Sequence, residues 1–283
     1  MSDRYAVIGN PIEHSKSPLI HAAFARQTLQ DIDYGKIQAP IDTPDGFSNT
    51  VDRLIAEGYK GANVTVPFKF QAFLKANERT PRAEMARAIN TFSFRDGTIF
   101  GDNTDGVGLV YDITQNLKFA IAGKRVLLAG SGGASWGVLL PLLQQTPELL
   151  IIGGRDIAKA EELSEAANNL LATVEIAKNN ATVFYARKFT ELSDQKFDLV
   201  INGTSSGLSN AYPDGLPEDI FGKGALAYDM MYGRETPFMR IARDQGAAVA
   251  DGLGMLVEQA AEAFYVWRGI RPQTAPVIAQ LRR

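Results

Sequence analysis

One lysine lies where the local physics of a helix disfavours it, which makes it the first candidate for chemistry. The run GANVTVPFKF contains Pro67, and because proline is favoured at the first position of a helix, Lys69 is expected in a first helical turn. The positive end of the helix dipole opposes an ammonium group there. An ammonium can stabilise an oxygen that gains negative charge and can pass it a proton. We therefore predict a functional role for Lys69, with a solvated lysine beside a core strand as the alternative.

A second candidate is the polar segment GDNTDGVG. It places Asp102, Asn103, Thr104 and Asp105 directly before a helix that is expected from about residue 107 to 117. Helix capping accounts for one of these polar residues but not for all four. The two aspartates could bind calcium, but their spacing lacks the EF-hand pattern and its terminal glutamate. We therefore reject a metal site in this segment.

Two serines lie at the start of the first predicted helix. In GNPIEHSKSP, Ser17 is a natural N-cap before Pro18, and Ser15 lies two residues earlier. Because they are expected at the positive end of a helix, both hydroxyls could also hold a small carboxylate, with simple capping as the alternative. The nearby His14 and His21 are interpreted as a loop residue and an exposed helix position, without a role.

Further polar side chains are brought to common positions by predicted strands. Alternation in the strand before Pro67 places Asn63 and Thr65 on one face. The Asp-Gly pair at 96–97 predicts a hairpin turn between INTFSFR and TIFG. The strands of this hairpin are expected to deliver Asn90 and Thr91 to one end.

A glycine-rich turn organises the middle of the chain. Residues 125–159 read RVLLAGSGGASWGVLLPLLQQTPELLIIGGRDIAK, which predicts a strand, a turn, a helix and a second strand, half of a dinucleotide-binding βαβ unit. Gly130 permits the tight turn, Gly132 lets the backbone approach a pyrophosphate, and Gly133 opens the helix whose N–H groups face that anion. Ser135 stands where a third glycine or an alanine is usual.

The residues after the second strand of this unit favour one of two nucleotides. Arg155 and Lys159 place two cations one helical turn apart, which suits the additional phosphate of NADP. Asp156 between them opposes that dianion and would suit the free ribose of NAD. NADP is therefore the predicted cofactor, and NAD stays an open alternative. The simplest alternative is that Arg155 and Lys159 are solvated surface charges without a ligand.

The composition excludes several classes of function. The 283 residues suffice for one large or two ordinary domains, and the formal charge of −3 gives no basic excess for nucleic acid. No apolar run approaches the length of a membrane span, and the first residues lack the pattern of an export signal, so a cytoplasmic protein is expected. With no cysteine and two histidines, disulfides, thiol catalysis, iron-sulfur clusters and a Cys/His zinc site are excluded or poorly supplied.

Together these motifs resemble the shikimate dehydrogenase family from end to end. The matching segments, in the family's order and spacing, are SKS, NVTVPFK, AINT, DNTDG, GSGGAS, NGTSSG, DMMYGRETPF and DGLGMLVEQAAEAF. The resemblance implies an α/β fold of two domains: an N-terminal substrate domain with a mixed sheet, residues 1–105 completed by 254–283, and a Rossmann-like NADP-binding domain with a parallel sheet, residues 106–253. A C-terminal helix would return to the first domain.

The resemblance also implies an activity, the reversible reduction of 3-dehydroshikimate to shikimate with NADPH in aromatic amino-acid biosynthesis. It implies that Lys69 and Asp105 are the catalytic pair and that Ser15 and Ser17 hold the substrate carboxylate. The implied ligands of the ring hydroxyls are Asn63, Thr65, Asn90, Asp105 and Gln259, with Tyr232 as a further substrate contact. The implied cofactor residues are Gly130, Ser131, Gly132, Gly133, Ala134, Arg155 and Lys159, with Thr204, Gly252 and Met255 at the nicotinamide end.

The chain departs from the family pattern at two places. Gly154, Arg155 and Asp156 replace the usual Asn-Arg-Thr, and Ser135 replaces the last glycine of the phosphate loop. The alternatives are therefore a quinate/shikimate dehydrogenase with relaxed use of NAD and NADP, and a nucleotide-binding regulatory protein without turnover. The expected partners are small molecules, with no nucleic acid, no membrane and no metal, and the expected state is a monomer or a homodimer.

Overall fold

The chain forms two α/β units, each built on a six-stranded sheet, in a computed structural model that describes residues 2–173 and 182–283. The first unit comprises residues 1–108 and 256–283, and the second comprises residues 109–255. The prediction of an α/β protein with one mixed and one parallel sheet is confirmed. In the described parts of the chain no helix is both long and apolar enough to cross a membrane.

The first unit alternates strands and helices and then closes with a hairpin. Its elements are β1 (Asp3–Gly9), α1 (Ser17–Thr28), β2 (Ile32–Gln38), α2 (Gly46–Ala56), β3 (Gly61–Val64), α3 (Lys69–Lys75), β4 (Glu78–Arg79), α4 (Pro81–Ala86), β5 (Thr91–Arg95) and β6 (Thr98–Asp102). The strand order is β2-β1-β3-β5-β6-β4. Strands β1, β2 and β3 are parallel, whereas β5 is antiparallel to both β3 and β6, so the sheet is mixed.

The predicted hairpin is confirmed. Strands β5 and β6 pair with Arg95 opposite Thr98, and the two turn residues, Asp96 and Gly97, have φ values of 50° and 76°. Positive φ at both central residues is what a two-residue turn between twisted strands requires, and aspartate and glycine tolerate it. The hairpin delivers Thr91 to the start of β5 and Asp102 to the end of β6, directly opposite each other.

Helix α5 (Asp105–Tyr111) follows the hairpin and continues as a π-helical turn (Asp112–Asn116).

The C-terminal helices are α9 (Leu253–Arg268) and α10 (Ala275–Leu281), and from Leu256 onward they belong to the first unit. Apolar residues of α9 recur at helical spacing and pack against Ile20 and Phe24 of α1. The buried α9 residues in this cluster are Val257, Ala260, Ala261 and Phe264. The end of the chain therefore completes the core in which it began.

The second unit is a doubly wound parallel sheet. Its strands are β7 (Arg125–Ala129), β8 (Leu149–Gly154), β9 (Val183–Lys188), β10 (Phe197–Asn202), β11 (Phe221–Asp229) and β12 (Ala248–Asp251), with α6 (Gly133–Leu143), α7 (Ile157–Thr173) and α8 (Pro237–Asp244) between them. The strand order is β12-β11-β10-β7-β8-β9, and all pairs are parallel. Counted within this unit, the order is 6-5-4-1-2-3, and the topology reverses direction between β7 and β10.

Continuous apolar runs explain the central strands of this sheet. Residues 126–129 of β7 and 199–202 of β10 are fully or almost fully buried, because helices cover both faces of a doubly wound sheet. Dinucleotides bind in such folds at the carboxyl ends of the strands where the topology reverses. The segments that follow β7 and β10 are therefore the expected position of a cofactor site.

Two details of the first unit differ from the sequence-based expectations. Helix α3 begins at Lys69, not at Pro67, because residues 66–68 form a turn. His21 is fully buried, so its interpretation as an exposed helix position is wrong. The helix face that carries it is covered by aromatic residues from β2 and α9, which the local pattern of α1 does not reveal.

Candidate active site

A lysine and an aspartate from separate helix starts form an ion pair in the first unit. Lys69 is the first residue of α3 and Asp105 the first residue of α5. Their Nζ and Oδ2 atoms are 2.6 Å apart, and the two side chains are 32% and 18% exposed. The dipole of α5 favours the carboxylate, whereas the dipole of α3 disfavours the ammonium, and Asp105 offsets that cost directly. The pair is thus ordered yet still reachable from solvent.

Asn90 holds the other oxygen of this carboxylate. Its Nδ2 lies 2.8 Å from Oδ1 of Asp105 and 3.4 Å from Oε1 of Gln259. Its own Oδ1 accepts the backbone N–H of Thr104 at 2.9 Å. Because a backbone N–H can only donate, this contact fixes the amide orientation and directs Nδ2 toward Asp105. Asn90 therefore joins the ion pair to Gln259 of α9.

Asn63 extends the same polar network onto β3. Its Nδ2 donates to the backbone oxygen of Asn90 at 3.1 Å and to Oγ1 of Thr91 at 3.1 Å. Thr65 follows β3 and is partly exposed, and its backbone N–H donates to Ile8. Asn63, Asn90, Asp105 and Gln259, predicted from separate motifs, thus lie in one hydrogen-bonded chain with Lys69.

The sequence-based prediction missed one member of this network. The hydroxyl of Tyr34 on β2 donates to Oδ1 of Asn63 at 2.7 Å. Burial raises the pKa of Tyr34 well above its ordinary value, and an interaction with the Ser17 side chain opposes that shift. No sequence motif singles out Tyr34, because its contact with Asn63 depends on the order of the strands in the sheet.

Behind Tyr34 lies the buried His21. The two rings stack at 4.2 Å with planes 8° apart, and the Trp267 ring is 5.4 Å from the His21 ring. Burial lowers the pKa of His21 to about 3, with a weak opposing effect from the Asn63 side chain. Its ring nitrogens have no hydrogen-bond partner in normal geometry. The imidazole is therefore neutral and acts as part of the aromatic packing.

The serine pair lies near Tyr34, with roles that differ from the expected caps. Ser17 is the first residue of α1 and Lys16 the residue before it, and no side chain caps the helix. Instead, the backbone N–H of Ser17 donates to Oγ of Ser15 at 3.3 Å. The prediction of Ser17 as the N-cap is therefore wrong. Both serines are partly exposed, so their hydroxyls remain available to a ligand at this helix start.

A buried ionic network connects the polar segment of β6 to α9. Arg82 makes two contacts with the Asp102 carboxylate, at 2.7 Å and 2.6 Å, and a third with Glu262 at 3.1 Å. Burial would raise the pKa of Asp102, but the hydrogen bonds and charge of Arg82 outweigh it and lower the pKa. Arg271 also pairs with Glu262, at 2.7 Å. This network fixes α9, which carries Gln259, relative to the segment that carries Asp105.

In the second unit, the glycine-rich turn follows β7. Gly130 has a φ of 108°, and a Cβ at this position would lie 3.1 Å from the backbone of Gly203 and Thr204 after β10. A Cβ at Gly132 or Gly133 would meet nothing within 4 Å. Glycine is thus required structurally at 130, whereas at 132 and 133 it leaves open space before the N-terminus of α6. That open space fits a pyrophosphate.

Ser135, the last position of the phosphate loop, is buried and leaves no open space for a ligand. Ser135 is fully buried, and a Cβ at Gly203 would lie 2.9 Å from its Oγ. The serine therefore occupies the point of close contact between α6 and the end of β10, which is the packing role of the usual glycine or alanine. The neighbouring Ser131 is partly exposed and Ala134 exposed, on the open side of the turn.

The residues after β8 present two cations to solvent. Arg155 is 79% exposed and lies 3.4 Å from Asp214, and Lys159 is 71% exposed and lies 3.9 Å from Asp156. Asp156 also accepts the backbone N–H of Ala158 at 3.2 Å, at the start of α7. Asp156 is thus engaged by the helix start and by Lys159, whereas Arg155 makes an exposed ion pair with Asp214 that a phosphate can replace.

Of the residues predicted at the nicotinamide end, Thr204 and Gly252 follow β10 and β12, and Met255 lies in the first turn of α9. Oγ1 of Thr204 donates to Asn202 at 2.7 Å. A Cβ at Gly252 would lie 2.2 Å from the backbone oxygen of Met230, so this loop packs tightly. Tyr232 is partly exposed, and burial raises its pKa.

The backbone of Met255 contacts the hydrogen-bonded pair of Tyr228 and Asp112, which the sequence did not predict. Its backbone N–H donates to the Tyr228 hydroxyl at 3.3 Å, and that hydroxyl donates to Asp112 at 2.7 Å. The Asp112 carboxylate also lies 2.0 Å from where a Cβ at Gly254 would be. Burial and the charge of Asp112 raise the pKa of Tyr228 well above its ordinary value.

Among the described residues, no group of three or more His, Cys, Asp or Glu could hold a metal.

Proteins of known family match this chain over its length. A family model described as the shikimate dehydrogenase substrate binding domain matches residues 7–92, and one described as the shikimate 5'-dehydrogenase C-terminal domain matches residues 252–282. The shikimate dehydrogenase (NADP(+)) of Methylobacillus flagellatus is 60% identical over 281 residues, 99% of each chain. The protein of the same name from Dechloromonas aromatica is 54% identical and spans 100% of this chain and 98% of its own.

Solved structures show the same architecture. An Ael1 enzyme from Pseudomonas putida superposes with a TM-score of 0.91 at 47% identity, over 99% of this chain and 98% of that chain. Shikimate 5-dehydrogenase from Thermus thermophilus, in complex with NADP(H) and shikimate, has a TM-score of 0.82 at 28% identity, over 99% of both chains.

Proposed function

The chain belongs to the shikimate dehydrogenase family, and we propose that it catalyses the reversible, NADP-dependent interconversion of 3-dehydroshikimate and shikimate. The observation that carries this proposal is the pair of Lys69 and Asp105, 2.6 Å apart and linked through Asn90 to Gln259. Such a cluster can bind a polyhydroxylated ring and control the proton of one of its oxygens.

Lys69 and Asp105 would act on the oxygen at the reacting carbon. NADPH, when bound, supplies the hydride. As the ketone carbon is reduced, its oxygen gains negative charge, and the Lys69 ammonium stabilises that charge and donates a proton to it. In the reverse direction Lys69 accepts the proton of the substrate hydroxyl. Asp105 holds the Nζ of Lys69 in place in both directions of the reaction, and Asn90 fixes the Asp105 carboxylate.

The remaining polar residues of the first unit would hold the substrate. Ser15 and Ser17, at the start of α1, suit its carboxylate, because hydroxyl groups and a helix N-terminus both favour an anion. Asn63, Thr65, Asn90 and Gln259 suit the ring hydroxyls, since amides and hydroxyls both donate and accept hydrogen bonds. Tyr232 in the second unit is proposed as a further contact to the substrate.

The second unit would bind the cofactor through its loops. Gly132 and Gly133 leave space for the pyrophosphate at the start of α6, and the backbone of Gly130, Ser131 and Ala134 shapes the turn around it. Arg155 and Lys159 would hold the 2′-phosphate, which distinguishes NADP from NAD. Thr204, Gly252 and Met255 are proposed to line the nicotinamide end.

Nicotinamide reduction by the purified chain tests the proposal. Shikimate and quinate are each paired with NADP and with NAD, and the rates are compared at equal substrate concentrations. Turnover largely confined to shikimate with NADP is expected. Comparable rates with quinate or NAD would instead indicate a quinate/shikimate dehydrogenase of relaxed specificity, and nucleotide binding without turnover in any pairing would indicate a regulatory protein.

Location and assembly are separate questions from the chemistry. A cytoplasmic location and a monomeric or homodimeric state stay predictions. Fractionation of the source cells and light scattering of the purified chain test them.

A further inference from the structure

Tyr34 contacts a predicted substrate residue, Asn63, yet no motif or comparison assigns it a role. It lies in the middle of β2, where it is partly buried, and its hydroxyl is 2.7 Å from Oδ1 of Asn63. The Ser17 side chain interacts with the same hydroxyl. Tyr34 thus lies between a residue proposed for the substrate carboxylate and one proposed for a ring hydroxyl.

The direction of this hydrogen bond follows from the neighbours of Asn63. The Asn63 side chain lies 3.1 Å from the backbone oxygen of Asn90, and a carbonyl oxygen can only accept. The atom that faces it must therefore be Nδ2, and the atom that faces Tyr34 must be Oδ1. Because Oδ1 carries no proton, the Tyr34 hydroxyl has to donate.

The same reasoning fixes what remains free for a ligand. The two protons of Asn63 Nδ2 are directed at Asn90 and Thr91, and the proton of Tyr34 is directed at Asn63. The remaining capacity of these two groups is a lone pair on Oδ1 of Asn63 and a lone pair on the Tyr34 oxygen beside its contact with Ser17. The Tyr34–Asn63 pair can therefore accept a hydrogen bond from a ligand but has no proton of its own to give.

The ring of Tyr34 is held rigidly. It stacks on the buried His21 at 4.2 Å and lies 6.3 Å from the Trp267 ring. A phenol fixed by stacking loses little further entropy when it orients a neighbour, which favours a positioning role.

We propose that Tyr34 is a positioning residue that fixes the Asn63 amide with its oxygen as acceptor, so that the Tyr34–Asn63 pair selects a hydroxyl of the substrate. This inference rests on the proposed function. The pair would reject a carbonyl or a carboxylate at that place, since those groups also only accept. The ketone to be reduced is thereby directed away from Asn63, while Lys69 offers the proton that a ketone oxygen needs.

The variant Tyr34→Phe tests the inference because it removes the hydroxyl and keeps the stacked ring. We expect the Kd of shikimate, measured by calorimetry on the protein without nucleotide, and its KM to rise about 5- to 10-fold, as for the loss of one hydrogen bond. The KM of NADP and the Tm should stay close to those of the parent protein. The matched control is Tyr59→Phe, which removes a hydroxyl that Arg4 contacts at 2.8 Å elsewhere in the same unit.

A double-mutant cycle separates positioning from a general loss of structure. If Tyr34 acts through Asn63, then Tyr34→Phe has no further effect on shikimate affinity in an Asn63→Ala background, and Asn63→Ser serves if the alanine variant does not fold. Independent, additive losses, or an unchanged affinity in Tyr34→Phe, would overturn the inference alone. If the parent protein neither binds nor oxidises shikimate, the proposed function fails together with it.

Discussion

The carboxylate of Asp105 is held on both sides: Oδ2 lies 2.6 Å from Lys69 Nζ, and Oδ1 lies 2.8 Å from Asn90 Nδ2. The backbone of Thr104 in turn fixes Asn90. A carboxylate with both oxygens engaged cannot rotate freely, so the ammonium paired with it has a defined position. Preorganised charge of this kind contributes more to catalysis than a mobile lysine would.

Replacement of Lys69 should separate chemistry from binding. In Lys69→Ala we expect kcat to fall by about 10²- to 10⁴-fold, the range of general acid-base contributions, while the Kd of shikimate changes only a few-fold. Steady-state kinetics and calorimetry measure the two quantities. Lys75→Ala is the matched control, because Lys75 lies on the same helix and pairs with Asp52. Equal losses in turnover and affinity would mean that Lys69 only binds.

The choice of nucleotide should depend on Arg155. In Arg155→Ala we expect the KM of NADP to rise at least roughly 10-fold, as for a lost hydrogen bond to a charged group, with the KM of NAD nearly unchanged. Asp156→Ala should leave the preference for NADP intact, because this carboxylate already accepts from Ala158. Lys223→Ala, at an exposed position of β11, is the control. A variant of Arg155 with an unchanged ratio of NADP to NAD would refute this assignment.

Two glycines of the same loop should respond differently to alanine. At Gly132 a Cβ meets no atom, so Gly132→Ala should keep the parent Tm but weaken NADP binding at least roughly 10-fold by filling the space of the pyrophosphate. At Gly130 the φ of 108° and the contact with the Gly203 backbone predict a loss of about 1–3 kcal/mol in the free energy of unfolding. Thermal denaturation and nucleotide titration distinguish them. Tight NADP binding by Gly132→Ala would contradict the placement of the phosphate.

The buried His21 should make the protein less stable in acid. Its pKa is lowered from 6.5 to about 3, so between these values the unfolded chain binds a proton that the folded chain does not. The free energy of unfolding must then fall as the pH falls, by about 1.4 kcal/mol per pH unit from this residue once the pH is well below 6.5.

Two measurements check this expectation. The variant His21→Phe keeps an aromatic ring in the stack and should show a shallower loss of stability between pH 6 and pH 4.5 than the parent protein. Because the chain has only two histidines, the His21 ring can be followed by NMR once His14→Gln has assigned it. A His21 resonance that titrates near pH 6 would show that the ring is not buried as described.

Local patterns were sufficient for the elements that carry the chemistry. The Asp-Gly turn predicted the hairpin, and the glycine-rich turn predicted the strand and the helix around it. These signals are contained in a few consecutive residues, because turns, caps and glycine loops depend on φ and on neighbouring backbone groups. They also positioned Lys69 at a helix start, although the helix begins two residues later than the proline suggested.

The sequence by itself determined the residue types of the site, the glycine loop and the alternation of strands and helices. Only the tertiary structure decided which side chains meet. The strand order places β2 and β3 on either side of β1, and the Tyr34 side chain reaches across β1 to Asn63. His21 is buried because β2 and α9 cover one face of α1. Likewise, Tyr228 contacts Asp112 across a long stretch of chain. Such contacts depend on strand order and on helix packing, which no local pattern of residues specifies.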